Sequence, residues 1–402
     1  MKIRIIVLFF VFSLNIYGQK VKFNKGKALQ RNYYTELAYE QLKSKLIIPV
    51  EIEGNSYRFL FDTGAPNLIS HSLRDIIQTR MLSSIDVKDA NDKKQPLDVV
   101  VIPLLTLGEV SFKNAPAIVN DANSNFLFEC LKIDGIIGSN LLRKSIVQVD
   151  SKRKRLIISD QLDKMNLQDL NYLDMALDAN QSSPYIWIDL SGAGKAREQV
   201  LFDTGAEGFY DLSFNSFKKL NELGVFSHME KAEGFKGLGL FGVSESTVHY
   251  RVQVPAIGVL GAVFSNVISV STPAVKSRLG ADIFDYGIVT LNFKDQRFYF
   301  EPFGNKVDLH EEVWAFSPTV QDGKLVIGLV WDDDFSNQLN PGIKILKIND
   351  LITDSINICD LLVMESPLKG LDTLQILVEN ATGEVYELHL KKYSLQENPS
   401  QK

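Results

Sequence analysis

Two segments of this 402-residue chain carry the same potential chemistry: Phe61-Asp62-Thr63-Gly64-Ala65 and Phe202-Asp203-Thr204-Gly205-Ala206, with their aspartates 141 residues apart. Each follows an apolar, strand-like run. A lone Asp-Thr-Gly reads as a turn. Two carboxyl groups brought to one place do more, because like charges resist ionising together: one keeps a proton as an acid while the other acts as a base. Such a pair hydrolyses an amide with water. The ionised member takes a proton from the water, the protonated member polarises the scissile carbonyl, and a proton then passes to the leaving amine. Which aspartate starts protonated is open at the level of sequence, since a coupled pair titrates as one unit. The chain offers no competing device: its five histidines form no His-Glu-x-x-His pattern and no Gly-x-Ser-x-Gly elbow occurs. No metal or cofactor is expected.

The elements that must position these aspartates are themselves duplicated. Asp134-Gly135-Ile136-Ile137-Gly138 leads to Ile146–Asp150 and then Arg155–Ile158; Leu279-Gly280-Ala281-Asp282 leads to Ile288–Asn292 and then Arg297–Phe300. Gly138 and Gly280, Ile146 and Ile288, and Arg155 and Arg297 are each 142 residues apart. Upstream, Ile47–Glu53 and Tyr185–Leu190 precede Gly-containing turns, a hairpin signal in each half. A period this long marks a duplicated domain rather than a solenoid.

The paired Asp-Thr-Gly motifs, each followed about 75 residues later by an apolar-apolar-Gly segment, resemble the aspartic proteases over roughly residues 46–304. Ala65 and Ala206 resemble the retropepsin branch more than the pepsins. The resemblance implies a mostly β, two-lobed, double β-barrel fold with Asp62 and Asp203 as the catalytic dyad, one per lobe, so that a single chain completes the site. It also implies that Thr63, Gly64, Thr204 and Gly205 form the scaffold, the threonine hydroxyls tying the two loops together and the glycines allowing close approach. Pepsins carry a hydroxyl where Ala65 and Ala206 stand. Without its hydrogen bond the pair is expected to be less acidic, with an optimum at mildly acidic to neutral pH.

Proteases of this kind close a hairpin over the substrate. The Gly-rich stretch holding Gly237, Leu238, Gly239 and Leu240 is the favoured flap, with the polar tip Asp89–Lys94 as its first-lobe equivalent. Between the lobes, Leu162, Met165, Leu167, Leu170 and Leu173 recur at roughly helical spacing, predicting a helix and then a turn within a linker at 161–183.

After Pro302 the pattern changes. Strand-like runs at Lys324–Val330, Ile343–Ile348, Thr373–Val378 and Glu384–Leu390, a short helix at Ile358–Met364 and the turn Asn340-Pro341-Gly342 resemble PDZ domains over roughly 308–393, a small α/β unit that could engage a protein partner. At the other end, Lys2 and Arg4 precede the apolar run Ile5–Phe12 and the small Gly18, the pattern of a signal peptide over 1–18 followed by an N-terminal segment at 19–45. Export to the periplasm or outside the cell is therefore expected, with no membrane span after cleavage. The full division is lobe 1 at 46–160, linker at 161–183, lobe 2 at 184–304 and the PDZ-like unit at 308–393. Cys130 and Cys359, the only two cysteines, are expected to be buried free thiols. A net charge of −6 gives no basic footprint for nucleic acid. Together these features point to an exported aspartic endopeptidase acting on extended polypeptides, or to a non-catalytic peptide-binding or scaffolding protein built on the same fold.

Overall fold

A computed structural model describes residues 15–17, 21–88, 94–120, 126–236, 238–239, 242–243, 245–335, 337–353, 356–363 and 368–397. These residues are mostly β. The signal-peptide reading lies outside them except for Asn15–Tyr17, a strand that pairs with Arg80–Lys88.

Each Asp-Thr-Gly motif sits at the end of the second strand of a hairpin. Lys45–Ile52 and Asn55–Asp62 turn through Glu53 and Gly54, both at positive φ (53° and 78°), as a tight two-residue hairpin turn requires. Pro184–Ser191 and Lys195–Phe202 form the matching hairpin in the second half. Apolar side chains alternate inward along these strands, and Phe59, Phe61 and Phe202 are fully buried. Each such side chain contributes roughly 1.5–3 kcal/mol. The first sheet curls until Glu51 of the hairpin pairs with Thr106 of Lys94–Leu107. A short helix follows each motif, His71–Ile76 capped by Ser70 and Phe214–Glu222 capped by Ser213.

A further sheet joins the halves. Ile146–Asp150 and Gly287–Asn292 lie antiparallel, and the repeat-related residues Gln148 and Thr290 stand directly opposite one another with a side-chain hydrogen bond of 2.9 Å. Repeat mates facing each other across a pair of antiparallel strands mark a local two-fold axis. Residues 21–45 belong to this framework: Tyr34–Ala38 adds to the joining sheet and Glu40–Leu42 to the first hairpin.

Two sequence expectations are corrected. The helix at 161–183 is absent; only a single turn, Asp163–Met165, forms before short strands at Leu173–Asp174 and Ala176–Leu177. Asn166 adopts a left-handed φ of 51° that ends the turn. Leu162, Met165, Leu167 and Leu170 instead reach a small core with Ile146, Ile157 and Tyr299 as an irregular chain. The cysteines are not free thiols: Cys130 and Cys359 form a disulfide, with Cα atoms 4.6 Å apart. Their helices, Phe126–Leu131 and Ile358–Val363, pack against each other from positions 229 residues apart in sequence, a proximity no spacing rule reveals.

The C-terminal strands Phe316–Gln321, Lys324–Val330, Lys344–Ile348, Thr373–Glu379 and Val385–Lys391 form their own antiparallel sheet. That sheet is docked on both halves. Besides the disulfide, Phe235 N–H donates to Gly328 O (2.9 Å), which joins the sheet to the end of strand His228–Gly234. Buried Arg251 pairs with Glu230, donates to Trp314 O (2.9 Å) and to the Tyr393 hydroxyl (2.6 Å), and lies over the Trp331 ring. Cys359→Ser is expected to lower stability by about 2–4 kcal/mol. The check is a denaturation midpoint that falls in the variant, and in the wild type only when reductant is added.

Candidate active site

Asp62 and Asp203 come together at the interface of the two halves, each with no exposed surface. Their loops are cross-tied. Thr63 N–H donates to the Thr204 hydroxyl and Thr204 N–H to the Thr63 hydroxyl, both at 3.0 Å. The two hydroxyls in turn donate across the interface, Thr63 to Phe202 O (2.7 Å) and Thr204 to Phe61 O (2.9 Å). Every bond crosses between halves, and with both hydroxyls buried a valine at either position would strand a backbone donor and an acceptor together.

The glycines set the spacing. A Cβ on Gly64 would lie 2.5 Å from Asp203 Cγ, and one on Gly205 would lie 2.2 Å from Asp62 Oδ2. Each carboxylate therefore rests against the backbone of the opposite loop. Asp62 Oδ1 accepts from Gly64 N–H (2.8 Å) and Ala65 N–H (3.1 Å), and Asp203 Oδ1 from Gly205 N–H (3.0 Å). Among the described residues the Oδ2 atoms have no hydrogen-bond donor. The two carboxyl groups lie close enough for each to affect the other's titration, so the pair takes up protons as one unit.

The environment is not symmetric. Burial, then the facing Asp203, hold the Asp62 carboxyl well above the usual carboxylate range. Burial raises Asp203 too, but Arg278 and then Lys45 pull it back. Arg278 thereby favours the negative charge on Asp203, while the pair titrates as one unit. This has a consequence for stability. The native dyad binds more protons than the unfolded chain between the ordinary carboxylate range and its own raised one, so its contribution is full below the former and is lost as pH rises through the latter. Asp62→Asn is expected to flatten that decline, read as melting temperature against pH for the variant and wild type.

Residues 48–141 match the Aspartyl protease family model. The matched segment holds the Asp62 motif and the Gly135–Gly138 strand that flanks it. Among solved structures, the chain is similar to conglutin gamma, a basic 7S globulin from lupine seeds, at 12% identity over 68% of this chain and 96% of that one, with a TM-score of 0.41. It is also similar to Basic 7S globulin from soybean, at 10% identity over 67% and 94%, with the same TM-score of 0.41. No curated protein matches the chain by sequence.

Beside the Asp62 motif of this matched segment stand residues that no motif announces. Buried Lys45 donates to Gly205 O, while Gln181 donates to the corresponding Gly64 O at 3.1 Å. One loop carbonyl thus meets a cation and its mate a neutral amide. Burial lowers the Lys45 pKa, and Glu207, Asp62, Asp203 and Asp211 counter it. Ser139 supports the first loop from below, donating to Thr63 O (2.8 Å). Of the flap residues, Gly237 and Leu240 lie outside the described residues, as does most of the Asp89–Lys94 tip. Leu238–Gly239 pairs with Gly242–Val243 as a small antiparallel ladder.

Proposed function

We propose that this protein is an exported aspartic endopeptidase that hydrolyses peptide bonds in extended polypeptides with water held between Asp62 and Asp203. The observation that carries this reading is the pair of fully buried carboxyl groups, each set against the glycine backbone of the opposite loop by crossed threonine bonds. Asp203, whose pKa Arg278 lowers against the effect of burial, serves as the base that takes a proton from water. Asp62 serves as the acid that polarises the carbonyl and returns a proton to the amine. The aspartyl protease match over 48–141 supports the family assignment. The Cys130–Cys359 disulfide supports export, since such bonds persist in oxidising compartments.

Both carboxyl groups are covered, so a peptide reaches them only when a covering segment moves. The stretch around Leu238–Gly239 is the proposed flap, and the PDZ-like unit at 308–393 is read as a brace on its base through the Phe235–Gly328 bond. The test is incubation of the full chain with a diverse peptide library, with products mapped by mass spectrometry. The account expects discrete internal cuts that a hydroxyl-bearing, non-cleavable peptide isostere blocks. Isostere binding without any cut would favour the non-catalytic peptide-binding alternative.

A further inference from the structure

The two halves differ sharply at one position beside the aspartates. Ile136 and Arg278 each stand two residues before the glycine of their repeat segments, and each pairs in parallel with the motif strand, Ile136 opposite Leu60 and Arg278 opposite Leu201. Alternation along the strands sends Phe61 and Ile137 into the large barrel core and turns Leu60 and Ile136 to the other face, the one Asp62 shares. There Ile136 packs in an apolar cluster with Leu60, Leu68, Val99 and Ile118. By the same alternation Leu201 and Arg278 share the face of Asp203. The repeat has put a guanidinium where its first copy has an isoleucine.

That guanidinium is incompletely used. Arg278 is 3% exposed, its Nη2 lies 3.5 Å from Asp211 Oδ2, and its Nε and Nη1 have no acceptor among the described residues. Buried N–H groups without acceptors are costly, and more so on a charged group. Of the charged groups nearby, Lys236 donates to Val270 O (2.7 Å) and Ser271 O (3.0 Å), one oxygen of Glu198 accepts from the Tyr210 hydroxyl (2.6 Å), and the Asp203 carboxyl feels the guanidinium's charge. On the hydrolytic reading, a peptide centred on the dyad would set the residues flanking its scissile bond toward these two faces, one apolar and one carrying Arg278.

We propose that Arg278 makes the second-half subsite a carboxylate receptor, so that preferred substrates carry Asp or Glu on one side of the scissile bond and an apolar residue on the other. The inference rests on the hydrolytic reading and supplies its substrate class. The test uses non-cleavable hydroxyl-bearing isosteres that differ only in Glu or Leu at one of the two flanking positions, with their cleavable parents assayed in parallel. The proteins are full-length wild type, Arg278→Ile, Arg278→Lys and the double variant Asp211→Asn with Arg278→Ile, which removes the Asp211 charge together with the guanidinium if the single change prevents folding. Wild type is expected to bind the Glu isostere about 10- to 100-fold more tightly than the Leu isostere at one position. Arg278→Ile, or the double variant, is expected to reverse that order, and Arg278→Lys to keep part of it.

Acid-selective binding without cleavage would refute the proteolytic reading while upholding the subsite. Cleavage with no acid preference, or a preference that Arg278→Ile leaves unmoved, would overturn the subsite and reduce Arg278 to a structural partner of Asp211. Failure to bind any isostere would overturn both.

Discussion

Asp62→Asn and Asp203→Asn are each expected to lower peptide cleavage by on the order of 10³-fold or more, the scale of positioned acid–base catalysis. An asparagine keeps the shape of either side chain. At position 62 its carbonyl oxygen still accepts from Gly64 and Ala65 N–H, and at position 203 from Gly205 N–H. It can neither hold the exchangeable proton nor carry the charge that activates water. Both variants are therefore expected to fold, and Asp62→Asn to be at least as stable as wild type near neutral pH because a buried, charge-opposed carboxyl is gone. Steady-state cleavage rates and denaturation midpoints measured on the same preparations separate lost chemistry from lost structure. Substantial activity in either variant would contradict a shared proton.

The second large effect is expected at the glycines. A methyl group on Gly205 would press on the Asp62 carboxyl at 2.2 Å, and one on Gly64 would press on Asp203 at 2.5 Å. The end of a flexible side chain could swing away. These carboxyl groups cannot, because backbone N–H groups hold their Oδ1 atoms and the crossed threonine bonds hold the loops. The pair must spread instead. Gly64→Ala and Gly205→Ala are each expected to reduce cleavage by roughly 10²-fold, since displacements near 1 Å cost that much in a positioned site. Gly304→Ala is the control: the nearest atom to its added methyl, Lys306 O, is 4.0 Å away, and cleavage is expected to be unchanged.

Much of the site was legible in the chain because it is written twice. Asp62, Thr63 and Gly64 recur as Asp203, Thr204 and Gly205 in matched strand contexts, and the structure puts the two sets face to face. Local patterns also served the C-terminal unit, whose strands at Lys324–Val330 and Lys344–Ile348 follow apolar runs bounded by turn residues. What escaped depends on contacts between distant segments. The Cys130–Cys359 bond follows from two short helices meeting across 229 residues, and the helical spacing of Leu162 to Leu173 gave way once Met165 and Leu167 found a core without a helix. Lys45 belongs to no motif, and only the fold sets it against the second loop. Arg278 was within reach. Aligning the repeats at Gly138 and Gly280 pairs it with Ile136, and an arginine opposite an isoleucine at an otherwise apolar strand position signals a specialised half.

The central claim is that Asp62 and Asp203 act as one site on one tetrahedral centre. It is tested most directly by a crystal structure of the full chain bound to a peptide isostere whose scissile amide is replaced by a hydroxyl-bearing carbon. The account expects the hydroxyl oxygen within about 2.6–3.2 Å of a carboxyl oxygen of both aspartates, where the attacking water would sit. An inhibitor whose hydroxyl meets only one of them, or that binds away from the dyad, would contradict it.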